Sequence, residues 1–69
     1  MTKAQVATYQ EALADFKAAT VGATRAQRKA GRPGRGLRAR TFACRYVKPE
    51  EDQALYTQIY NIFWNYFDV

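Results

Sequence analysis

With 69 residues, a net charge of +5, 48% hydrophobic content, one cysteine and no histidine, the chain carries a narrow chemical inventory. A single cysteine excludes an intrachain disulfide, and the lack of histidine removes the usual general base, the commonest metal ligand and the partner a cysteine nucleophile needs. An enzyme, a metal or cofactor site and a small-molecule substrate are therefore not expected.

At this length one domain is expected, near the size at which a single core stabilises a fold without staples. "MTKAQVATYQ" has no apolar run of the secretory type, and no run of about 18 apolar residues would span a membrane. The expectation is a soluble, cytoplasmic protein with a reduced Cys44. Charge is distributed in blocks. Residues 1–15 carry Lys3, Glu11 and Asp15, whereas residues 16–49 carry ten basic residues and no acid. Glu50, Glu51, Asp52 and Asp68 follow. Blocks of like charge serve as interaction segments.

The first expected element is a helix over about 3–30. Thr2 and Gln5 fit a capping box, and Met1 and Val6 fit a hydrophobic staple. Val6, Tyr9, Leu13, Phe16 and Thr20 follow at spacings of 3, 4, 3 and 4, which is one narrow helical stripe. Alanines between them favour helix and let a neighbour approach closely. Gly22 is compatible with a helix end or with continuation through "ATRAQRKA"; continuation to Gly31 is the reading adopted.

"GRPGRG" breaks any helix. A basic loop or extended segment is expected over 31–48. Within it Phe42, Cys44 and Tyr46 alternate with Thr41, Ala43, Arg45 and Val47, a period-2 pattern of the strand type. A short helical turn is the alternative. A lone strand would need a second copy to pair with.

The second expected helix covers 49–67. Pro49 suits a first helical position, and Glu50, Glu51 and Asp52 suit the positive end of the dipole. Leu55, Ile59, Ile62, Phe63 and Tyr66 make its apolar face, which Tyr56, Tyr60, Trp64 and Phe67 widen to roughly 200°. That arc calls for more than one neighbour. The fold class expected is thus all-α: a two-helix antiparallel hairpin with a long basic Gly/Arg-rich connection, pairing as a homodimer through the aromatic helix.

The candidate site is the basic segment: Arg25, Arg28, Lys29, Arg32, Arg35, Arg38, Arg40 and Arg45. Arginine's planar fork pairs with phosphate oxygens and stays charged. Nucleic acid is one partner this implies, an acidic protein surface the other, and a solvated loop the plain alternative. Leu37, Phe42, Tyr46, Tyr56, Tyr60, Trp64 and Phe67 are the candidate protein-interface residues, with core and dimer packing as the competing role for the aromatics. The last helix has no basic polar face, so a membrane surface is not an expected partner.

"AGRPGRG" resembles the AT-hook, a short peptide that lies in the minor groove of A/T-rich DNA. Gly31, Arg32 and Pro33 match its Gly-Arg-Pro core; Ala30 stands where the AT-hook has another arginine, and Gly34 intervenes before Arg35. The resemblance implies groove or backbone contact. The same stretch lacks the Lys-Ser/Thr ending of a nucleotide-binding P-loop. In size and plan the chain also resembles the small accessory proteins with which bacteriophages switch off host machines. That likeness implies a protein-binding regulator or inhibitor.

Overall fold

A computed structural model describes residues 1–68. It contains four helices in the order α1 (Lys3–Ala19), α2 (Arg25–Ala30), α3 (Arg35–Ala43) and α4 (Gln53–Tyr66), with no strand among the described residues.

α1 starts at the expected capping box. The Thr2 side chain accepts from the Gln5 amide, and the Gln5 side chain accepts from the Thr2 amide. It stops at Ala19, so the single helix over about 3–30 is in fact two. Gly22 lies at φ +79°, a left-handed conformation that glycine adopts without steric cost. Thr24 and Gln27 then form a second capping box that starts α2. "TRAQ" repeats the spacing of "TKAQ" at the N-terminus, and both act as start signals.

The segment expected as a loop or strand over 31–48 is half helical, with α3 at its centre and turns on either side. α3 ends at Ala43 and residues 44–46 form a turn that continues from it, so Phe42 and Tyr46, four apart, come to one side with their rings 5.3 Å apart. Phe42 is buried, Tyr46 half-buried and Cys44 exposed. A helix satisfies its backbone within itself, whereas a lone strand leaves an unpaired edge. Buried Ala39, Phe42 and Ala43 give α3 one apolar face.

α4 begins at Gln53 rather than Pro49. Lys48 to Glu51 form a turn closed by the Glu51 amide on the Lys48 carbonyl at 3.0 Å, with Pro49 in the second position that its fixed φ suits. Asp52 is the N-cap and accepts from the Leu55 amide at 3.1 Å. Glu50 and Glu51 therefore stay outside the helix.

Gln5 donates to Asp52 at 2.6 Å, joining the starts of α1 and α4. Phe16 meets Phe63 and Tyr66 edge-on at 5.5 and 5.0 Å, joining their ends. α1 and α4 therefore run parallel. The antiparallel partner of α4 is α3, whose N-terminal Arg35 lies on Trp64. This corrects the antiparallel two-helix hairpin: the connection itself supplies a helix, and its reversal lets α1 and α4 point the same way. The broad face of α4 thus has two neighbours within the chain. The core holds Ala12, Phe16, Phe42, Ala43, Leu55 and Ile59. Alanines at Ala12 and Ala43, both fully buried, leave room for the rings between the helices.

Phe16 touches three rings, those of Phe42, Phe63 and Tyr66. Phe16→Ala is expected to cost about 3–5 kcal/mol, most of the stability open to so small a domain. Urea unfolding followed by circular dichroism measures it; a loss under about 1 kcal/mol, ordinary for a surface position, would contradict this packing. Asp52 gives a pH test. Its hydrogen bond from Gln5, then that from the Leu55 amide, hold its carboxyl below the usual carboxylate range. The charged form is favoured on folding, so its contribution is present above about pH 4 and is lost as pH falls through the lower folded value. Thermal unfolding across that range should show an acid-induced loss that shrinks in Asp52→Asn; an unchanged loss would sever Asp52 from it.

Candidate nucleic-acid interface

The basic residues divide by what they touch. Arg35 lies with its guanidinium carbon 3.7 Å from the centre of the Trp64 ring, and its side chain is only 11% exposed. Arg28 stands 4.5 Å from the Tyr66 ring centre, and its Nε donates to the Tyr66 carbonyl at 2.9 Å. Arg38 lies 5.0 Å from the Phe67 ring centre and donates to the Gly31 carbonyl. Each cation faces the electron-rich side of a ring while its methylenes cover apolar surface.

Charge also explains why these arginines gather here. α4 has no basic residue in its last turn. Its final carbonyls have no intrahelical donors and carry the negative end of the helix dipole. Arg28 supplies both a donor and a positive charge from α2. Asp68, just past the helix, adds negative charge and is approached by Arg35 at 3.4 Å and Arg32 at 3.8 Å. At 56% exposure of the Asp68 side chain, these pairs contribute little individually. Gly31 lets the turn close, since a Cβ there would collide with the Phe67 ring.

The Gly-Arg-Pro core that resembles the AT-hook is the turn from α2 into α3, closed by the Arg35 amide on the Arg32 carbonyl at 3.2 Å. Gly34, the N-cap of α3, has no side chain to cap its first turn. Lys29, Arg32 and Arg35, with Gly34, Gly36 and Trp64, line an open hollow at that end of α3. Three cations and the uncapped start of a helix thus adjoin one space, with the exposed Asp68 carboxylate beside Arg32 and Arg35.

Arg25, Lys29, Arg40, Arg45 and Lys48 are exposed, and among the described residues none makes a side-chain hydrogen bond, ion pair or ring contact. Of the eight predicted site residues, then, Arg25, Lys29, Arg40 and Arg45 are open to a partner and Arg32 is lightly paired. Arg28, Arg35 and Arg38 hold the fold together.

The predicted interface residues divide likewise. Leu37 is 72% exposed, whereas Phe42 is a core residue. Tyr46 packs beside the core and donates to Asp15 at 2.7 Å. Burial and this hydrogen bond push its hydroxyl up to about 12, so it stays protonated at neutral pH. Tyr56, Tyr60 and Trp64 form a half-buried row along α4, with ring centres 6.0 Å apart at each step. Phe67 packs on Phe63 and Tyr66 at the helix end. Sequence reasoning passed over Asp68 and Asp15, each an acid set against a basic or phenolic group far along the chain. The lone acid at the C-terminus of an otherwise uncharged helix was the only available sign.

No protein-family model matches the chain, and no curated protein or solved structure matches it either.

Removing the ring-bound cation should affect stability and removing an open one should not. Arg35→Ala is expected to lose about 1–2 kcal/mol through its ring contact and covered stem, and Arg40→Ala under about 0.5 kcal/mol. Paired urea titrations decide the matter; equal effects would contradict the division.

Proposed function

We propose that the chain is a small non-enzymatic binding protein that contacts nucleic-acid phosphates through its arginine-rich central segment. The observation that carries this reading is the hollow at the start of α3, where Lys29, Arg32 and Arg35 surround an uncapped helix N-terminus. Arg25 on α2 and Arg40 on α3 are exposed cations of the same segment, no acid occurs between residues 16 and 49, and Asp68, itself exposed, is the acid beside Arg32 and Arg35. Arg28, Arg35 and Arg38 keep their charge while bound to rings, so they add to the field although they are tied to the fold. Fixed helices also lower the ordering cost that a mobile loop would meet on binding.

Pairing of two copies belongs to the same reading. A two-fold dimer would set two positive surfaces on one body and raise avidity. Light scattering on the titrated sample measures that pairing.

Fluorescence anisotropy with labelled duplex DNA and single-stranded RNA tests the proposal. Affinity is expected to fall by about 10³ between about 50 and 200 mM salt, as counterion release requires. The double variant Lys29→Ala/Arg32→Ala should weaken binding to all sequences alike and lower the salt slope by about two. No binding at about 50 mM salt would overturn the reading and leave an acidic protein surface as the partner these charges suit.

A further inference from the structure

A second feature adjoins the basic hollow, with Leu37 lining both. α1 and α3 pack on α4 from two sides and meet each other through Phe16 on Phe42 and Tyr46 on Asp15. Beyond those contacts a cleft of about 410 Å³ opens between them. Its floor is Phe16, Phe42, Phe63 and Phe67. One wall comes from Asp15, Ala19 and Thr20 of the α1 end, the other from Leu37, Thr41 and Arg45 of the α3 end.

Asp15 and Ala19 on α1, and Leu37 and Thr41 on α3, are four residues apart, the row that forms a ridge on a helix surface, and Arg45 lies in the turn just past α3. Small Ala19, Thr20 and Thr41 leave the ridges low, and Leu37 stands 72% exposed at the lip. Within α3, residues 37–43 run for about 9 Å at helical rise. Two helices seated on a third with an apolar trough between them form a bundle that lacks its fourth member.

The charges narrow the occupant. Arg45, just past α3, has no side-chain partner among the described residues, and Arg38, laid on the Phe67 ring, also lines the cleft. Asp15 faces them from α1. An acidic flank is favoured along α3 and a basic flank along α1. A phosphate strand does not suit such a trough, because its floor is apolar and Asp15 repels it. The chain's own helices do not suit it either. α3 carries only bases, α4 has no charged residue between Gln53 and Phe67, and the Tyr9, Ala12 and Phe16 side of α1 is turned to the core. We infer that the α1–α3 cleft docks an amphipathic helix of another protein, with an apolar stripe on the phenylalanine floor and acidic residues along Arg45.

Two labelled synthetic peptides of equal helicity test this on the full chain by fluorescence anisotropy. Both carry the same leucine stripe and a lysine flank. The first has glutamates on the other flank; the second has lysines there. The first is expected to bind at least about 10-fold more tightly than the second. Ala19→Trp, at an exposed position that fills the trough, should abolish binding of the first peptide; Thr41→Trp does the same from the other wall if the first variant misfolds by circular dichroism. Arg45→Glu should weaken the first peptide by about 10-fold and strengthen the second. Lys29→Ala/Arg32→Ala should leave the first peptide unchanged, which separates this cleft from the phosphate-binding surface. Equal binding of the two peptides, or binding that survives both tryptophan variants, would overturn the inference. So would either alternative occupant: a dimer that Ala19→Trp converts to monomer by light scattering, or uptake of decanoate without uptake of either peptide.

Discussion

The fold depends on arginines laid against the aromatic end of α4. A chain this short buries few side chains completely, and its last helix carries more aromatic surface than α1 alone covers. Arg28, Arg35 and Arg38 cover part of that surface with methylenes and guanidinium planes. Such contacts are worth about 0.5–2 kcal/mol each, more where water is excluded. They also neutralise the carbonyl end of α4 and the charge of Asp68. The same residues that make the middle of the chain basic therefore make it helical, by giving it something to pack on.

That constraint explains which parts of the fold were legible in the sequence. The start of α1 and the apolar face of α4 follow from local signals, a capping box and a regular spacing, and both stand as expected. The break at Gly22 was also locally encoded, but a glycine inside a favourable pattern is ambiguous until the second Thr-x-x-Gln is recognised. α3 was the hardest element. The alternation over residues 41–47 reads as period 2, yet only 41–43 belong to α3 and 44–46 form a turn; what decides is the aromatic surface of α4, contributed by residues about twenty positions later. The direction of α1 relative to α4 was hidden for the same reason: it depends on whether the connection is a loop or a helix.

The candidate site was legible as a charge pattern and not as a division of labour. Nothing local separates Arg35, pressed on Trp64, from Arg40, open to solvent. The distinction arises from position on α3: Arg35 falls near the buried face of Ala39 and Phe42, whereas Arg40 points to a flank. Phe42 entered the core by the same rule. A surface so organised has cations of two kinds, some fixed as structure and some open for a partner. Across Leu37 from the hollow, the cleft with its phenylalanine floor gives the molecule a second surface of different chemistry.

The central claim is that residues 35–43 form a helix held by arginine–ring contacts. Backbone carbon chemical shifts and amide hydrogen exchange, recorded on the protein in solution, test it most directly. The account predicts helical shifts from Arg35 to Ala43 and exchange protection at Ala39, Phe42 and Ala43 comparable with that of α4. It also predicts that Trp64→Ala, which removes the ring under Arg35, lowers the protection of α3 more than that of α1. Random-coil shifts and unprotected amides across 31–48 would contradict it, returning the basic segment to a mobile loop.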